Sequence, residues 1–194
     1  VGEGSGPNSP DRTGQSKTAM RLQPASCESP ECPVCELKSR LIQGGAKSVD
    51  WLDLYEHDCH VYLRTGSEHG CVHGLRLAVP DAKYRRLSKG KTRRMCDFSV
   101  LAMHSQNVLL VAVELKSGAA YTGDLEQLAE GLRLLHDCFK RAGLMVKPSP
   151  RACFVVGREL DKFRSALRGE LTRLRFGPLT VRLEILECGE SLHL

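Results

Sequence analysis

A chain of 194 residues, 41% hydrophobic and 26% charged, is long enough to bury one real core and too balanced in composition to be fibrous or wholly disordered. Its formal net charge of +5 permits a polyanionic partner without requiring one, and the longest apolar run, 108–113, is far too short to span a bilayer, so no membrane partner is expected. Its nine cysteines are odd in number and several sit inside apolar stretches, which indicates thiols or metal ligands in a reducing intracellular compartment, cytoplasm or nucleus, rather than a disulfide framework.

Residues 1–30 are dominated by Gly, Ser, Pro and Thr without apolar periodicity, and read as a disordered tail or linker. They lack the basic-then-apolar order of a secretory signal, and Met20 is a candidate natural start. Residues 31–80 form a Cys/His-rich extension that also carries the first helix and strand of the core. Short helices are expected at 36–43 and 48–56, the second capped by Ser48, and short strands at 59–64 and 75–79. The sharpest local feature is Cys32-Pro33-Val34-Cys35, a C-P-x-C turn of the kind found in zinc knuckles. The first choice of ligands is Cys32, Cys35, Cys59 and either Cys71 or His73. Because no second CxxC fixes that choice, free cysteines in a small subdomain remain the alternative.

The remaining residues, 81–194, are expected to hold the main domain. It opens with Lys83, Arg85, Arg86, Lys89, Lys91, Arg93 and Arg94, with no acid among them. Such a run can grip backbone phosphates with release of counterions, or serve as a solubilising loop or nuclear-import patch. Segments 95–103 and 108–116 follow, joined by the polar turn 104–107, and read as a β-hairpin. Side chains alternate along a strand, so Glu114 and Lys116 share one face and Leu115 takes the other. Glu114 closes a run of six apolar residues, and a carboxylate at the mouth of a buried strand is costly unless paired or metal-bound. Asp97 opens the neighbouring strand. Two acids and an ammonium so placed can bind a divalent cation and steer a water, which suits phosphodiester hydrolysis. Charged residues at strand ends as a merely solvated face are the plainer alternative.

Leu125, Leu128, Leu132, Leu135 and Phe139 step by three and four, which predicts an amphipathic helix ending near Gly143. Asp124 and Gln127 have the spacing of a capping box at its start. Pro148 and Pro150 are read as a break, 152–156 as a buried strand, 159–168 as a helix and 179–186 as a last strand. Arg158, Lys162, Arg164, Arg168, Arg173 and Arg175 could extend a basic surface, but Glu159, Asp161 and Glu170 among them favour a solvated helix. The order predicts an α/β domain with a mixed central β-sheet flanked by helices.

Asp97 followed by Glu114-Leu115-Lys116 at the end of the next strand resembles the PD-(D/E)XK nuclease superfamily, over 95–135 and the strand at 152–156. The resemblance implies a restriction-endonuclease-like αβββαβ core. It also implies magnesium or manganese held by Asp97, Glu114 and the backbone carbonyl of Leu115, with Lys116 activating the attacking water. Cys96 stands where the family pattern carries proline. Many members add a glutamate on the helix before the first strand, for which Glu56 is the first candidate, ahead of Glu36 and Asp53. Helicase-associated relatives carry a glutamine on the following helix, which Gln127 would match, although the tyrosine expected a turn later is absent. The resulting expectation is a magnesium-dependent nuclease acting on nucleic acid, DNA ahead of RNA, alone, as a homodimer or within a larger complex. A noncatalytic module of the same fold is the runner-up, and a zinc-dependent adaptor with structural hairpin acids is the third reading.

Overall fold

A computed structural model describes residues 31–49, 53–66, 69–77, 95–104, 106–167, 173–176 and 179–194. The expected tail at 1–30 and the basic segment from Lys83 to Arg94 lie outside the described residues. A seven-stranded mixed sheet forms the middle layer, in the order β1-β4-β5-β6-β7-β9-β8. Its strands are β1 (Lys47–Val49), β4 (His69–Arg76), β5 (Phe98–His104), β6 (Asn107–Lys116), β7 (Lys147–Val156), β8 (Arg173–Phe176) and β9 (Leu179–Glu187). A second sheet has three strands, β2 (Asp53–Glu56), β3 (Cys59–Arg64) and β10 (Ser191–His193), in the order β10-β3-β2. The helices are α1 (Pro33–Gln43), α2 (Leu125–Ala142) and α3 (Leu160–Ala166), with a 3-10 turn at Thr122–Asp124. Among the described residues no helix is long and apolar enough to cross a membrane.

Strand alternation splits the core in two. Val108, Leu110 and Ala112 of β6 pack under the helices with Leu128, Leu132 and Leu135 of α2. The intervening Leu109, Val111, Val113 and Leu115 face the small sheet, against Leu54, Val61, Leu63 and Leu192. β6 is buried on both faces, which explains its unbroken apolar run. It pairs antiparallel with β5 and parallel with β7, so the chain must cross over between β6 and β7, and α2 is that crossover. The helix stops where predicted, at Gly143, whose φ of 66° is the left-handed conformation glycine adopts without strain.

Three expectations are corrected. The helix predicted at 48–56 is absent: Lys47–Val49 and Asp53–Glu56 are strands, and Leu54 is buried while Tyr55 is exposed, a period of two rather than 3.6. Pro148 and Pro150 do not break the chain but lie within β7. β9 pairs with β7 only from Ala152 onward, so on that side the prolines' missing N–H groups remove no ladder bond. Finally, the Cys/His-rich stretch is not an appended extension. α1 buries Val34, Leu37 and Leu41 in the helix-side core, and β4 is an internal strand.

At Gly131 of α2 an added Cβ would lie 2.1 Å from Cys96 Sγ. The helix therefore approaches the strand leading to Asp97 as closely as its backbone allows. Gly131→Ala is expected to cost about 1–3 kcal/mol by overpacking. Urea unfolding should show Cys96→Ala restoring most of that loss, because it removes the colliding sulfur. A double variant no better than Gly131→Ala would mean that the collision is not the cause.

Candidate acid–lysine site and thiol cluster

The register places Phe98 opposite Val113, so Asp97 falls beside Glu114 at one end of the sheet. Two main-chain hydrogen bonds lock the pair across the strands. The Asp97 amide donates to Glu114 Oε2 at 3.1 Å, and the Leu115 amide donates to Asp97 Oδ2 at 3.0 Å. Glu114 and Lys116 share the helix-side face as predicted, with Lys116 Nζ 2.5 Å from Glu114 Oε1. That ammonium is also 3.8 Å from Asp124 Oδ1. Glu114 is fully buried, whereas Lys116 keeps a quarter of its side chain exposed. The site is therefore rooted in the core and open on the lysine side.

Burial raises the Asp97 carboxyl above its ordinary value, opposed by the Leu115 amide and then by the charges of Lys116, Arg76 and His57. Glu114 is pushed up to about 7, first by burial and then by the Asp97 charge, with Lys116 opposing. Two carboxylates that repel each other out of water, with Asp124 as a third nearby, face one ammonium. Additional positive charge at this point would be favourable.

The secondary candidates separate. Gln127 is buried and donates to Asp124 Oδ1 at 3.4 Å, so it joins the site through Asp124. No capping box forms, because the Asp124 side chain instead accepts from the Tyr121 amide at 2.9 Å and makes no cap bond to the helix. Glu56 lies on a strand of the small sheet rather than on a helix, and is ion-paired with Arg76 and 3.5 Å from His57 Nε2. Glu36 pairs with Arg40 on α1, and Asp53 is an exposed strand residue. At Leu115 it is the amide that touches Asp97, and its side chain is buried on the opposite face.

Sequence reasoning missed Asp124 and Arg76. Asp124 was readable only as a helix start, yet the segment leaving the end of β6 must pass close to Lys116. Arg76 pairs in register with Phe98 and stacks on its ring, 5.1 Å from the centroid. Its position one residue from the Asp97 level follows from strand pairing, which no local pattern reveals.

Scans against protein-family models, curated proteins and solved structures found no match.

At the other end of β4 lies a second cluster. The sulfurs of Cys32, Cys35 and Cys71 all lie within 4.8 Å of one another, a group that could hold a metal ion. Cys59 is not among them. It is buried in the small sheet near Cys188, which lies against the His60 amide at 3.2 Å, and burial raises its thiol to about 12. That ligand assignment is corrected. None of the eight described cysteines is in a disulfide.

Proposed function

We propose that this protein is a metal-dependent nuclease that hydrolyses phosphodiester bonds, with DNA as the preferred substrate. The observation that carries the proposal is the convergence of Asp97, Glu114 and Lys116, from two adjacent strands, on one end of a two-sided buried sheet. The order α1, β4, β5, β6, α2, β7, with β1, β2 and β3 inserted between α1 and β4, has three antiparallel strands and a fourth parallel to the third, which supports a restriction-endonuclease-like core.

The donor set fits a hard divalent cation. Both acids offer carboxylate oxygens, and Glu114 is raised first by burial and then by the Asp97 charge, both of which a bound divalent cation would oppose. Asp97 and Glu114 would hold magnesium or manganese, which when bound lowers the pKa of water and offsets charge on the phosphate. Lys116, partly exposed and ion-paired with Glu114, orients the attacking water and stabilises negative charge as it develops on the phosphoryl oxygens. Asp124 gives the lysine a second partner, and Gln127 holds Asp124 from below. The basic run from Lys83 to Arg94 supplies sequence-independent phosphate contacts in this reading.

One observation favours the noncatalytic alternative. Each acid already accepts a main-chain N–H from the partner strand, so the pair also fastens the hairpin. Incubation with supercoiled plasmid, linear duplex, single-stranded DNA and RNA, with magnesium or manganese at two salt concentrations, distinguishes the two. Metal-dependent cutting is expected. Binding without cutting under every divalent metal would assign the chain to the binding module.

A further inference from the structure

We propose a structural zinc site of three sulfurs and one nitrogen, formed by Cys32, Cys35, Cys71 and His73, which fastens the start of α1 to β4. The site is separate from the acid–lysine cluster. Cys71 precedes Arg76 on β4 by five residues, a span of about 16 Å along an extended strand.

Two short sequence devices bring the ligands together. Cys32 is the N-cap of α1 and Cys35 lies one turn further, with Pro33 between them and the Glu36 amide bonded to the Cys32 carbonyl at 3.0 Å. That turn presents both sulfurs on one side of the helix start. On β4, Cys71 and His73 are two residues apart and so share a face, the one toward α1. The β4–β5 register shifts between His69 and Val72, an irregularity of the kind that re-aims side chains beside functional sites.

The spacings among Cys35, Cys71 and His73 are those of a coordination shell, and Cys32 Sγ lies within 4.8 Å of both other sulfurs. Cys35 Sγ lies 3.6 Å from Cys71 Sγ, and His73 Nε2 lies 3.4 Å from Cys35 Sγ and 3.3 Å from Cys71 Sγ. Tetrahedral zinc with Zn–S of about 2.3 Å and Zn–N of about 2.0 Å has edges of about 3.8 Å between sulfurs and about 3.5 Å between sulfur and nitrogen. Four protein ligands leave no open position, so the role is structural rather than hydrolytic. Such a staple would add to the core packing of α1, which has 11 residues and no side-chain cap. A helix that short has little stability of its own.

The test uses the full chain purified under reductant without chelator. One zinc per chain is expected by elemental mass spectrometry, falling below a tenth in Cys35→Ser and Cys71→Ser and unchanged in Cys188→Ser. Cobalt exchanged into the wild type should show tetrahedral ligand-field bands with a thiolate charge-transfer band, and His73→Cys should keep the stoichiometry while shifting those bands toward a four-sulfur spectrum. Wild type that takes up no zinc on titration would overturn the site, whatever the variants do. A cobalt spectrum indifferent to His73→Cys would overturn the ligand set. A disulfide found among the three cysteines in the reductant-purified chain would also overturn it.

Discussion

Lys116→Ala is expected to slow metal-dependent cleavage by about a thousandfold at saturating magnesium, with little change in the metal concentration needed. The lysine is ion-paired with Glu114 Oε1 at 2.5 Å, and that oxygen has no hydrogen-bond partner among the described residues. In the proposed reaction its removal would leave the acids free to take the cation but delete the positive charge assigned to the phosphoryl oxygens. Loss of one such stabilising group commonly costs about 10²–10³ in rate, and loss of water orientation adds to it. Asp97→Asn should behave differently. Its amide oxygen can still accept the Leu115 N–H, so the hairpin survives, but a charge proposed to hold the cation is gone. The metal midpoint should therefore rise by more than tenfold. Titrating magnesium against initial rate separates the two variants. If Lys116→Ala retained a third or more of wild-type activity, its role as the charge beside the reaction would be untenable.

Glu114→Gln should make the metal-free protein more stable at pH 8 and remove most of its pH dependence. In the fold the Glu114 carboxyl is pushed up from 4.5 to about 7, chiefly because it is buried and secondarily because Asp97 is beside it. The folded chain thus holds a proton that the unfolded chain has released. Stability is highest below about pH 4.5, declines as pH rises toward 7, and is level above that. The accumulated loss is on the order of 3 kcal/mol. Asp97, raised by its own burial, acts in the same direction. Glutamine carries no charge to bury and its oxygen can still accept the Asp97 amide. The expected gain of about 1–3 kcal/mol corresponds to a Tm increase of roughly 3–10 °C for a domain of this size. Magnesium should raise the wild-type Tm and leave the variant's nearly unchanged. Thermal melts from pH 4.5 to 8 check both statements, and a wild-type Tm that climbs across that interval would contradict the burial argument.

The hairpin carrying Asp97, Glu114 and Lys116 was legible because its signals are local. A two-sided apolar run must be a central strand, and the charged residues at its end are then fixed in direction by alternation. α2 was legible for the same reason, through the stepping of Leu125, Leu128, Leu132 and Leu135. What failed depended on partners distant in sequence. Asp53–Glu56 resembles a helix until β3 is placed against it. Pro148 and Pro150 look like breakers until one knows that β9 has not begun opposite them. Cys59 counts as a ligand by proximity in sequence, and is excluded only because the small sheet carries it to the face opposite α1.

The strand β10 is laid parallel to β3, so contacts such as that of the His60 amide with Cys188 Sγ join residues 128 apart. During synthesis, β2 and β3 emerge early, yet their third strand is supplied only after the whole helix-bearing layer has left the ribosome. A two-stranded hairpin is barely stable in water on its own. The nascent chain must therefore shelter Leu54, Val61 and Leu63 against the unfinished larger sheet, or leave them exposed to chaperones, until Leu192 arrives to cover them.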